Sequence, residues 1–210
     1  MADETTQPTT ERPDRRSRRQ AEIRERLIRS ALRLFGERGF VAATVEDITN
    51  LADVGKGTFF NYFPSKEHIF AARANGQAQK VETFVAQARD STEPMNELLY
   101  RLSVELSEGF EASPAIFRSV LVAVSSNESV RRMLSEALDQ ARQPLAELMS
   151  LGQQRGEIRG ELAVARLALQ FQQALFGTVF LWSLDPSRAL NDCLRETSGF
   201  LWSTMRKDAP

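Results

Sequence analysis

The side chains best equipped for chemistry lie in one short stretch, residues 44–66, which reads TVEDITNLADVGKGTFFNYFPSK. Lys56 carries a cation, Thr58 and Tyr62 carry hydroxyls, Phe60 carries an apolar ring, and Gly57 has no side chain. None of them is a nucleophile with a base beside it. Together they suit a phosphate backbone and the base edges of a major groove. Cations and hydroxyls bond phosphate oxygens, a ring can meet a thymine methyl, and glycine lets the main chain approach closely. Thr44 stands at a helix start, where a hydroxyl and unpaired amides make an anion site. Tyr62 and Lys66 offer a hydroxyl and a cation for phosphate oxygens at the other end of the stretch.

The spacing shows what must position them. Val45, Ile48, Leu51 and Ala52 recur at helical intervals after Thr44. Thr44 and Asp47 form a T-x-x-D capping box, which satisfies the orphan amides of a helix start. Asp53-Val54-Gly55 breaks the pattern, and a second helix runs from about Lys56 until Pro64. Two short helices joined by a glycine-containing turn are a helix-turn-helix. Phe59 and Phe63, four apart, face the core and leave Lys56, Gly57, Thr58, Phe60 and Tyr62 outward.

The segment ADVGKGTFFNYFPSKEHIF resembles the recognition-helix region of the tetracycline-repressor (TetR) family of bacterial transcriptional regulators, and ALRLFGERGFVAATVEDI resembles its first helix and the start of its second. The match covers about Ile23 to Ile69. The resemblance implies a homodimer bound to a double-stranded DNA operator, with a repressor released by a small organic effector. It places Lys56, Gly57, Thr58 and Phe60 at base edges or the adjacent backbone. Thr44, Tyr62 and Lys66 fall at phosphate clamps, and Asn61 belongs to either set. Two residues depart from the family pattern: Gly55 stands where Ser is frequent, and Phe60 where Tyr is frequent. The first removes a hydroxyl cap, and the second removes a hydrogen bond.

Composition sets outer bounds. With 210 residues and 42% apolar side chains, the chain can bury a real core in one or two domains. A single cysteine, Cys193, excludes an internal disulfide framework and fits a reducing cytoplasm. The longest apolar run, Ala174 to Trp182, is about half the roughly 20 residues a membrane span needs, so a soluble cytoplasmic protein is expected. Residues 11–66 carry twelve Lys or Arg against eight Asp or Glu, a surplus of +4, while residues 67–210 carry −3. That asymmetry fits a nucleic-acid-binding head on a nearly neutral body.

In chain order, residues 1–15 read as a disordered tail rich in Thr, Pro and acidic residues, leading to Arg12, Arg15, Arg16, Arg18 and Arg19. Those arginines suit phosphates or a minor groove, or a solvated tail. Helix one spans about 18–38, with Gly39 as its left-handed stop and Phe40 packing back. A head of residues 16–64 is followed by an effector-binding and dimerisation domain of residues 65–210. Ser65 is placed to cap a long helix over 66–90, the lever between head and body. Further helices are expected over 93–111, 114–125, 128–155, 162–184 and 187–206, with no period-two alternation and therefore no sheet. The fold class is all-α: a three-helix bundle with a helix-turn-helix, then an antiparallel helical domain.

The apolar run Ala174–Leu184 and the stripe Leu190, Leu194, Leu201 and Met205 are candidates for a two-fold four-helix interface. Large apolar side chains of the body, Phe70, Phe84, Phe110, Phe117, Met133, Phe171, Phe176 and Trp182, are candidate lining of a pocket of several hundred cubic ångströms. They could equally fill the core. No His, Cys or carboxylate cluster has metal-ligand spacing, so neither a metal nor a cofactor is expected, and the effector is taken as organic, hydrophobic and neutral or cationic. His68, the one histidine, has no ligand partner nearby and reads as structural. An enzyme is the competing class. Against it stand one His, one Cys and no P-loop, nucleophile elbow, HExxH or dinucleotide fingerprint. A third reading keeps the DNA head on a body that only dimerises.

Overall fold

A computed structural model describes residues 15–110 and 113–207, and the arginine expected at position 12 lies outside them. Nine α-helices follow one another among the described residues: α1 (Arg15–Arg38), α2 (Val45–Leu51), α3 (Lys56–Tyr62), α4 (His68–Arg89), α5 (Met95–Ser107), α6 (Pro114–Ser126), α7 (Glu128–Gln154), α8 (Val164–Leu184) and α9 (Leu190–Met205). The only strand-like pairing among them is an isolated antiparallel bridge between Ile158 and Arg206. Arg15, Arg16, Arg18 and Arg19 form the first turns of α1 rather than an arm preceding it.

The first three helices close on an aromatic core. Leu27, Ala31, Leu34 and Phe35 line the inner face of α1. Gly39 takes φ +82 and turns the chain, so that Phe40 meets Phe35 edge-on with ring centroids 5.3 Å apart. Ile48, Phe59 and Phe63 complete this core, which continues into Ile69 and Phe70 of α4, Ala123 of α6 and Val130 of α7. The α2–α3 turn falls at Asp53-Val54-Gly55. Asp53 adopts the left-handed conformation, at φ +50, which Asp tolerates better than most residues. Gly55 is the extended N-cap of α3 and contributes no side-chain cap.

Beyond α3, Ser65 does not cap α4. Its hydroxyl contacts the Glu67 carboxylate and His68 Nδ1, the latter at 3.0 Å, and α4 starts at His68. In the body α4 lies along α7, and α8 packs between α6, α7 and α9. At 21 residues α8 has the length and composition of a membrane span, but here one side of it, with Leu167, Ala168 and Phe171, is packed into the core. The expected α9 stripe is spent inside the protomer: Leu190, Leu194 and Met205 are buried against α5 and α8. What α8 and α9 leave exposed is Phe180, Leu181, Leu184 and Phe200.

Head and body touch through α1. Ser119 of α6 donates to the Phe35 carbonyl at 2.6 Å, and a Cβ on Gly36 would stand 3.1 Å from Ile116. Two cations secure chain turns by donating to backbone carbonyls. Arg155 bonds those of Ala88, Ser91 and Glu93, and Lys66 bonds those of Phe40, Val41 and Ala43.

Candidate nucleic-acid interface and effector cavity

The helix-turn-helix is held by local chemistry. Both arms of the capping box are made: the Asp47 amide donates to Thr44 Oγ1 at 3.1 Å, and the Thr44 amide donates to Asp47 Oδ2 at 3.0 Å. The Thr44 hydroxyl also donates to Oδ2 at 2.6 Å, and Arg38 sits 3.2 Å from Oδ1. These donors, Thr44 first, hold the Asp47 carboxyl below the usual aspartate range. Thr44 is thus engaged within the cap. The first amides of α2 remain without intrahelical acceptors, as at any helix start.

On α3 one face is apolar and buried and the other is open. Phe59 is fully buried while Phe60, set edge-on to it at 5.4 Å, is 50% exposed. Lys56, Gly57 and Asn61 are exposed, and Thr58 is half-buried. Nothing stands within 4 Å of a Cβ built on Gly57, so its own fold does not require glycine there. Tyr62 is half-buried beside Phe63, sharing its ring between the core edge and the outer face.

Lys66 requires a correction. Its ammonium donates to Phe40 O at 2.8 Å, Ala43 O at 2.9 Å and Val41 O at 3.2 Å, and lies 4.6 Å from the Phe40 ring centroid. An ammonium has three donors, and all are given to carbonyls. Lys66 therefore staples the α1–α2 connection to the entry of α4 instead of presenting a free cation. Its partners lie 23 to 26 residues away in the chain, and local spacing holds no signal for them.

In the body a cavity of about 140 Å³ is bounded by α4, α5, α6, α7 and α8. It is smaller than the several hundred cubic ångströms expected. Phe70, Phe110, Phe117, Phe171 and Phe176 line it as expected. Three other candidates do not. Phe84 is buried in the core with Arg101 over its ring at 4.7 Å. Met133 is one position off the inward face of α7, which presents Leu134 and Ala137. Trp182 packs behind the lining with Leu190 and Leu194 and turns its indole N–H to the Arg188 carbonyl at 2.9 Å. The space opens where Ala74 and Ala78 of α4 look towards Ala137 and Ala141 of α7. Small residues therefore make the room, and a search for large side chains passes over them.

Apart from Gln172 of α8, whose Nε2 donates to Leu138 O at 2.9 Å, the polar groups in this wall gather where α4 meets the end of α5. Gln77 Nε2 donates to Leu106 O at 2.8 Å and Arg73 Nη2 donates to Glu108 O at 2.6 Å. Lys80 reaches the Glu108 carboxylate at 2.6 Å. Burial lowers the basicity of the Arg73 guanidinium, and the carboxylates of Glu25 and Glu108 act in the opposite sense. Among the described residues no group of His, Cys, Asp and Glu could hold a metal ion.

With this geometry in place, comparisons with known proteins converge. Residues 27–72 match the profile of the bacterial regulatory proteins, tetR family. The chain is 28% identical over 169 residues to the transcriptional repressor DhaR of Mycobacterium sp. (strain GP1), covering 79% of this chain and 85% of that protein. Its fold is similar to that of the fatty acid degradation regulator FadR from Bacillus halodurans, with a TM-score of 0.73 over 86% of this chain and 94% of that one at 20% identity. It is also similar to Thermus thermophilus FadR, a repressor crystallised with lauroyl-CoA, with a TM-score of 0.60 and 25% identity over 89% and 97% of the two chains. The helix-turn-helix sequence, its built capping box, the helical body and these relatives make the chain similar to TetR-family transcriptional regulators, with residues 27–72 carrying the match to that family's profile.

Proposed function

We propose that two copies of this chain form a cytoplasmic dimer that represses transcription at an operator and leaves it when a small organic molecule enters the body. The observation that carries the reading is the outer face of α3. Lys56, Gly57, Phe60 and Asn61 are exposed there on a helix whose other face is anchored by the buried Phe59. Thr58 and Tyr62 flank them as hydroxyl donors, and Thr44 adds the open end of α2. Lys66 contributes by fixing the α1–α2 connection relative to α4.

Dimerisation is supported by Phe180, Leu181, Leu184 and Phe200, which leave apolar surface open on α8 and α9. A two-fold pair would set its recognition helices about one turn of DNA apart. An effector is supported by the apolar cavity, whose wall includes α4, the helix that runs directly from the head. The lauroyl-CoA complex of the Thermus thermophilus relative shows an organic ligand bound to a similar protein. The test is selection of genomic fragments by the purified full-length chain, followed by footprinting. A protected pseudo-palindrome with half-sites about 10 base pairs apart is expected, together with a sedimenting dimer that Phe180→Glu converts to monomers. Binding without sequence preference, or a monomeric parent, contradicts the reading.

A further inference from the structure

Two buried polar atoms in the cavity region have no hydrogen-bond partner: Gln77 Oε1 and Ser107 Oγ. Both residues line the cavity, and Ser107 is only 3% exposed. Buried polar groups are nearly always paired, and an orphan carries a desolvation cost. The orientation of the Gln77 amide follows from its other bond. Leu106 O can only accept, so the atom facing it is the nitrogen and the unpaired atom is an acceptor. Ser107 can donate or accept. Apart from Arg73 and Gln172, the remaining wall is apolar, along Val81, Leu106, Leu134, Leu145 and Phe176 among others.

From this pairing we infer that the cavity selects a small, neutral, mostly apolar molecule bearing one hydroxyl, such as an alkylphenol or a short alkanol. A hydroxyl fits because it both donates and accepts: its proton goes to Gln77 Oε1, and its oxygen receives the Ser107 proton. A carboxylate would set its oxygen lone pairs against the Gln77 acceptor. Arg73 also borders the cavity, but the carboxylates of Glu25 and Glu108 already offset its charge and its Nη2 is bonded to Glu108 O. The size agrees, because about 140 Å³ is close to the volume of an engineered apolar cavity that holds benzene. The position links binding to output: Gln77 is on α4 and Ser107 ends α5, so one hydroxyl ties the two helices together beside the existing Gln77–Leu106 bond.

This inference rests on the effector reading above, and the probes separate the two. Para-cresol, para-xylene and para-toluate share a ring and differ in carrying a hydroxyl, a methyl or a carboxylate. Their dissociation constants from the full-length protein are measured by ligand-observed NMR. Para-cresol is expected to bind at least about tenfold more tightly than either of the others, because a site built for a hydroxyl rejects the analogue lacking it. Ser107→Ala and, separately, Gln77→Met should reduce the preference over para-xylene to threefold or less. Para-xylene or para-toluate binding as tightly as para-cresol overturns the hydroxyl assignment and leaves the effector reading standing. An undiminished preference in Ser107→Ala also overturns it, and that variant serves if Gln77→Met does not fold. If none of the three binds, both readings fall.

Discussion

The outer face of α3 and the cavity of the body are built in opposite ways. The first is seven consecutive residues, in which one face of a single helix goes to the core and the other to the surface. The second is assembled from five helices, with Phe70 and Val179 on one wall although more than a hundred residues separate them. A local surface is specified by residue type at fixed offsets. A cavity is specified by what fails to meet across helices, and alanines on α4 and α7 set it as much as the aromatics do.

The sharpest way to break the comparison is at the adjacent pair Phe59 and Phe60. Phe59→Ala should cost about 3–5 kcal/mol of stability by chemical denaturation, as for a fully buried ring. Phe60→Ala should change stability by less than about 0.5 kcal/mol while weakening operator binding. Equal losses of stability would mean that α3 has no outer face of the kind described.

A pair of glycines repeats the contrast at lower cost. At Gly152 a Cβ would stand 2.6 Å from Ile158, so Gly152→Ala should lose about 1–3 kcal/mol. Gly57→Ala meets nothing and should gain up to about 1 kcal/mol from helix propensity. Thermal unfolding of both variants checks the signs.

Lys66→Met should lose about 1–3 kcal/mol, because two half-buried carbonyls, those of Phe40 and Ala43, lose their donor along with the exposed one of Val41. It should leave the salt dependence of DNA binding unchanged. A fall of one unit in that slope would restore Lys66 as a phosphate contact.

The smallest expected effect concerns acid. Because the Asp47 carboxyl is held below its ordinary value of 3.8, its contribution is present above that value and disappears as pH falls through the lower folded one. The stability gap between parent and Asp47→Asn should therefore be full near neutrality and close on acidification below about pH 4. A gap independent of pH would show that the carboxylate plays no charged role in the cap.

Legibility in the sequence follows the same division. The T-x-x-D box, the Gly39 stop and the Phe59/Phe63 spacing act within a few residues, and the structure keeps each of them. The helices from α5 to α9 fall within a few residues of expectation, because Pro114, Asn127 and the glycines near 156–160 interrupt the helical pattern locally. Lys66, Trp182 and Phe84 were not legible in this way. Each is settled by a partner that the spacing does not encode: distant carbonyls, the Arg188 carbonyl and the Arg101 guanidinium. Ser107 and Gln77 carry no motif at all. Only the absence of a partner in an apolar wall marks them.

The central claim is that the open side of α3 reads DNA while its buried side only supports it. The most direct test is a fluorescence-anisotropy titration of operator DNA with parent, Gly57→Ala and Thr58→Ala proteins, alongside their unfolding curves. The account predicts binding weakened by about tenfold or more in both variants, at 1–3 kcal/mol per lost contact, with Gly57→Ala at least as stable as the parent. Variants that fold and bind like the parent would contradict it.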